Sequence, residues 1–88
     1  MKAVILYRSQ SDHERSVNDY MHDFEHQTGK TIEALDVEQQ EGQELAQLYD
    51  IMQYPAVIAR AEDGSLIKVW SDGQLPLMNE LSYFIKGD

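Results

Sequence analysis

Apolar and polar positions divide the chain into short stretches with two different periods. Ala3 to Tyr7 is a continuous apolar run of strand length, the pattern of a central strand covered on both faces. Ser11-Asp12-His13-Glu14 then has capping-box spacing, with Ser11 capping a first helical turn and Glu14 reaching back to the Ser11 amide. Val17, Tyr20, Met21, Phe24 and Thr28 follow at helical spacing and form one buried stripe. Gly29 stands where a left-handed helix end is wanted, with Lys30 beside the negative end of the dipole. Thr31 to Leu35 alternates weakly and predicts an edge strand. A second helix is expected over Gln40 to Tyr49, with Leu45, Leu48 and Tyr49 as its apolar face. Gly42 weakens the first turn of that helix by about 1 kcal/mol relative to alanine.

The next pattern is a hairpin. Ala56 to Ala59 and Leu66 to Trp70 flank Glu62-Asp63-Gly64-Ser65, and Asp-Gly between two apolar runs is a strong turn signal. Pro55 stands just before the third strand, where its missing N–H costs no ladder bond. Pro76 suits the first position of a last helix with a stripe of Leu77, Leu81, Phe84 and Ile85, ended by Lys86-Gly87. The element order is β-α-β-α-β-β-α. A strand–helix–strand crossover of this length makes the first two strands parallel. The expected α/β fold is a four-stranded mixed sheet with the first and third strands central, flanked by three helices. The first and third helices would lie on the opposite face from the second.

The segment from Asp50 to Gly73, with Tyr54-Pro55, the hairpin and the closing glycine, resembles the C-terminal half of a thioredoxin fold. There a cis-proline loop opens a β-hairpin and a helix closes the domain. The resemblance to the thioredoxin-like superfamily, thioredoxins and glutaredoxins included, spans nearly the whole chain. It implies one thioredoxin-like domain over residues 1–88.

Composition changes that picture sharply, because the chain contains no cysteine. Disulfides, thiolate metal sites and thiol catalysis by this chain are excluded. With 88 residues the core is thin, burying roughly 60–65% of the unfolded surface. Sixteen acidic residues against seven basic ones give a formal charge of −9. Between Lys30 and Arg60 there is no basic residue, while Glu33, Asp36, Glu38, Glu41, Glu44 and Asp50 are all acidic. Such a surface does not suit a phosphate backbone or an anionic membrane, so neither nucleic acid nor membrane is an expected partner. The apolar run near the N-terminus is too short for a signal-peptide core or a membrane span. A soluble cytoplasmic protein is the expectation.

Candidate chemistry is judged against this cysteine-free background. Aligning Leu6-Tyr7 with the end of a glutaredoxin's first strand puts Asp12-His13-Glu14-Arg15 in place of the family's Cys-x-x-Cys motif. A slip of one or two residues offers Ser9 or Ser11 instead, and neither has an evident activating base. At a helix start, where the dipole suits an acidic side chain, capping is the simpler role for Asp12, His13 and Glu14. His22 and His26 share one helix face with Arg15 and Asp19, which reads as solvated surface rather than a metal site. No metal or other cofactor is expected.

By the resemblance, the residue before the cis-proline offers its backbone to an extended peptide or to glutathione. Tyr54 and Pro55 would then lie beside Ser9 to His13, with Tyr7 close by, and form a peptide platform. Ser71 and Asp72 fall where glutathione-binding relatives hold the γ-glutamyl end. Trp70 is expected to pack on a helix, and Tyr20 and Tyr83 to be core or core-edge aromatics. The expected function is a redox-inactive, non-enzymatic binding module for a protein or peptide, as a monomer or weak homodimer. One alternative is a self-associating or switching regulator, distantly similar to the circadian clock protein KaiB. Another is a glutathione-binding protein related to the first domain of glutathione transferases.

Overall fold

The apolar run at the N-terminus becomes β1 (Lys2–Tyr7), whose alternate side chains feed two separate cores. The computed structural model describes residues 2–85. After β1 come α1 (Glu14–Thr28), β2 (Glu33–Asp36), α2 (Gln40–Leu48), β3 (Ala56–Arg60), β4 (Leu66–Trp70) and α3 (Met78–Ile85). The strands lie in the order β2-β1-β3-β4, with β1 parallel to β2 and antiparallel to β3, and β3 antiparallel to β4. The two apolar runs with the least polar interruption therefore take the two central positions.

Ala3 and Ile5 of β1 join Val17, Phe24, Val57 and Leu81 in a core beneath α1 and α3. Val4 and Leu6 join Ala46, Ile51, Ala56 and Ile58 in a second core beneath α2. Helices one and three thus cover one face of the sheet and helix two the other, as the crossover predicts. Phe24 and Leu81 are wholly buried, each stabilising the fold by about 2–3 kcal/mol relative to exposure. Gly29 ends α1 in the left-handed region at φ 75°, and its N–H donates to the Glu25 carbonyl at 2.8 Å. Between β3 and β4, Asp63 Oδ1 accepts the Ser65 N–H at 2.9 Å and the Ser65 hydroxyl at 2.7 Å, tying the predicted turn.

Several local expectations are corrected. The expected capping box is displaced by a turn over residues 9–13, so α1 begins at Glu14. Ser11 donates to the Arg8 carbonyl instead of capping the helix, and Glu14 accepts the Gln10 N–H rather than that of Ser11. Strand β2 starts at Glu33, two residues later than its alternation suggests, although Ile32 is already buried. Leu48 is 69% exposed, and the buried positions of α2 are Gly42 and Ala46. Pro76 precedes α3 instead of opening it. Leu77 is 73% exposed, while Leu75 and Met78 pack against the core in its place. Tyr83 is mostly exposed, its ring edge-on to Phe84. The expected end at Lys86-Gly87 lies outside the described residues.

Gly42 has a reason that propensity does not show. A Cβ there would lie 2.3 Å from the Asp36 carbonyl oxygen and 3.1 Å from the Val37 Cα. Only glycine lets α2 sit this close on the end of β2.

Candidate functional site

Arg8, the residue after β1, draws three segments together at the end of the sheet. Its guanidinium lies 5.6 Å from the centre of the Tyr54 ring, and its Nε is 3.3 Å from Glu38 Oε1. Its backbone N–H donates to His13 Nε2 at 3.1 Å, and its carbonyl accepts the Ser11 hydroxyl. His13 therefore acts as an acceptor, which requires Nε2 to lack its proton. Because β1 is buried as far as Leu6, the chain leaves the core at Tyr7 and Arg8 reaches the surface at this point.

Asp36, the last residue of β2, fixes the same loop from the other side. Its Oδ1 accepts the Ser9 N–H at 3.3 Å and the Glu38 N–H at 2.9 Å. Hydrogen bonding from the Ser9 hydroxyl, and then from the Glu38 amide, lowers the pKa of this carboxyl below its usual value. The bond to Glu38 spans two residues, an Asx turn that leads the chain from β2 into α2.

The third segment carries Tyr54 and Pro55. Asp50 has φ 55°, and the Ile51 N–H donates to the Ala46 carbonyl at 2.8 Å while the Asp50 N–H donates to the Gln47 carbonyl at 3.3 Å. This is a Schellman ending for α2, with Ile51 and Ala46 buried in the same core. The chain then runs through Met52, 80% exposed, to Tyr54, whose hydroxyl donates to the Ile51 carbonyl at 3.3 Å. The Tyr54–Pro55 peptide bond is cis, and Pro55 is buried. A groove of about 400 Å³ opens beside this loop, with Val37, Ala46 and Ile51 among its lining and Arg8, Met52 and Tyr54 at the same opening.

Of the residues singled out in the sequence, Ser9, Ser11, His13, Tyr54 and Pro55 belong to the segments gathered here. The loop bearing Ser71 and Asp72 also comes close, since a Cβ at Gly73 would lie 3.2 Å from Gln53 Oε1 and 3.9 Å from the Tyr54 carbonyl oxygen. Both residues are exposed, and Asp72 Oδ1 accepts the Gln74 N–H at 3.2 Å in a local turn. Asp12 is exposed on the turn before α1. Tyr7 is not joined to Tyr54: it packs with the core under α1 and α3, whereas Tyr54 packs with the core under α2.

Arg8 and Asp36 are absent from the sequence-based set. An Asp followed two residues later by the approach to a helix is a turn signal that could have marked Asp36. Nothing in the local sequence singles out Arg8, whose partners come from three separate segments.

Elsewhere, His22 and His26 are exposed on α1. Among the described residues no group of three or more His, Asp or Glu side chains is placed to hold a metal ion. Among them, too, no helix is long and apolar enough to cross a membrane. Tyr20 is half-buried with its hydroxyl unpartnered, and burial, with Glu80 nearby, pushes its pKa up to about 12.

The mixed sheet, the helix placement and the cis-proline before β3 together define a thioredoxin-like fold. The chain aligns with thioredoxin 1 from the thermophilic eubacterium Thermosipho africanus with a TM-score of 0.69 and 16% identity. That match covers 98% of this chain and 91% of the other. A structure described as a malarial protein aligns with a TM-score of 0.65 and 17% identity, over 96% of this chain and 91% of its own. No protein-family model matches the chain, and no curated protein matches its sequence.

Proposed function

We propose that this chain is a redox-inactive binding module that takes an extended protein or peptide segment at the Tyr54–Pro55 loop. The observation that carries the reading is the groove beside that loop. It combines apolar Val37, Ala46 and Ile51 with an exposed Met52, and Arg8 and Tyr54 supply a cation and an amphipathic ring at its opening. Gln43, Gln47 and Asp50 complete the lining, and this mixed surface suits one or two anchor side chains of a peptide together with its main chain. Without a cysteine the chain has no thiol to attack a disulfide, so the reading is binding and not thiol–disulfide exchange.

The test is selection of linear peptides from a displayed random library, followed by amide-shift mapping of the selected peptides. Shifts clustered at Ser9–His13 and Tyr54–Ala56 are expected, and Tyr54→Ala should weaken the selected peptides roughly tenfold. A library that yields no binder, or binders whose shifts fall elsewhere, overturns the reading.

A further inference from the structure

A second surface lies along the outer edge of β2, away from the Tyr54 loop. Among the described residues, strand β2 pairs only with β1, in the parallel register Ile5↔Ala34 and Tyr7↔Asp36. The Val37 N–H donates to the Tyr7 carbonyl at 2.8 Å. Peptide groups alternate in direction along a strand, so Leu35 and Val37 turn theirs inward to β1. Ala34 and Asp36 turn theirs to the open edge. The Asp36 carbonyl accepts the Gln39 N–H at 2.9 Å, which leaves the Ala34 N–H, the Ala34 carbonyl and the Asp36 N–H facing outward.

This edge forms one wall of a groove of about 670 Å³ whose other wall is the first turns of α2. Ala34, Leu35 and Gly42 give it a small apolar part. Asp36, Glu41 and Glu44 give it three carboxylates, and among the described residues none of its lining is basic. Gln40 Nε2 lies 3.5 Å from Glu44 Oε1, at the limit of a hydrogen bond.

We propose that this edge binds an extended cationic segment of a partner protein by strand addition, with Lys or Arg at alternate positions on the α2 side meeting Glu41 and Glu44. The main-chain groups of Ala34 and Asp36 supply the ladder, and the carboxylates select the charge. A second copy of this chain fits poorly. Pairing two β2 edges would bring the Asp36, Glu41 and Glu44 carboxylates of both copies together, and like charges brought close destabilise a ladder. The net charge of −9 adds to that repulsion at longer range.

The probe is an octapeptide of alternating Lys and Val, followed by amide shifts, hydrogen exchange and fluorescence anisotropy on the whole chain. Binding should shift the Ala34 and Asp36 amides and slow their exchange. N-methylating alternate peptide amides, or replacing Lys by Glu, should weaken binding at least about tenfold. Glu41→Lys with Glu44→Lys, both exposed on α2, should weaken it to a similar extent while circular dichroism stays unchanged. Four results would overturn the proposal: equal binding of the N-methylated peptide, unmoved Ala34 and Asp36 amides, no binding, or a doubled mass without peptide. Tyr54→Ala should leave this binding intact, so failure here and failure at the Tyr54 loop are separate outcomes.

Discussion

β4 and β2 close the sheet at opposite sides, and they protect their free backbone groups differently. β4 carries apolar side chains into solvent, with Leu66 46% and Ile67 38% exposed, yet its ladder with β3 is irregular between Ala59 and Arg60. Lys68 lies across it, its Nζ 5.5 Å from the Trp70 ring and 5.4 Å from the Phe84 ring. A bulge and a lysine are common means of keeping an edge from pairing. β2 has four residues, regular register and acidic ends, with a groove in front of it. Charge discourages self-pairing there without removing the ladder groups. One edge carries a bulge and a lysine that disfavour pairing, and the other keeps its ladder groups beside an acidic groove.

The strongest way to break this contrast is Gly42→Ala. The new methyl meets backbone atoms of Asp36 and Val37, which cannot swing aside as a side chain would. Chemical denaturation should show a loss of about 3 kcal/mol, with faster amide exchange along β2 and little change along β4. Asp50→Gly acts in the opposite direction. It relieves a non-glycine residue at φ 55° and should raise stability by about 1 kcal/mol at the C-terminal end of α2. Lys68→Ala should cost about 0.5 kcal/mol of cation–π contact. Its more telling effect is association through the uncovered β4 edge, read as a rising mass with concentration; a strictly monomeric variant would show that the bulge alone suffices.

The smallest effect sharpens the comparison through pH. Asp36 beside β2 and Asp63 beside β4 both titrate below the usual carboxylate value, chiefly because Ser9 and Ser65 respectively hydrogen-bond their anions. A lowered folded-state pKa gives stability that is present above the ordinary value and is lost as pH falls through the folded one. Carboxyl shifts followed by NMR should therefore show both groups titrating late, with the two edges loosening together in acid. A normal titration for either would remove its turn from the account.

How much of this was legible depended on whether a residue's role is local. The runs Ala3–Tyr7 and Ala56–Ala59 declared buried strands because nothing polar interrupts them, and Val17, Phe24 and Gly29 declared α1 from its middle to its end. The Asp63-Gly64 turn was equally plain. What failed was the geometry of approach between elements. Ser11 is a good cap in isolation, but the chain makes another turn before α1 and Glu14 meets Gln10 instead. Leu48 and Leu77 fit helical stripes by count, yet both are exposed, and Leu77 lies before α3 begins. Gly42 read as a weak helix position because its neighbour, the Asp36 carbonyl, lies on another element. In the candidate site, Tyr54-Pro55 was visible as a motif. Arg8 was not, since its significance comes from Tyr54, Glu38 and His13 together.

Trp70 is the chain's single tryptophan, and it stands edge-on to Phe84 at 5.5 Å with its indole nitrogen buried and unpartnered. The protein therefore carries its own optical label, placed on the β4 side and reporting whether α3 is seated. Fluorescence from that indole will follow unfolding of the α1–α3 face. A ligand that occupies the far edge will leave the emission unchanged, so a silent titration is not evidence of an idle protein.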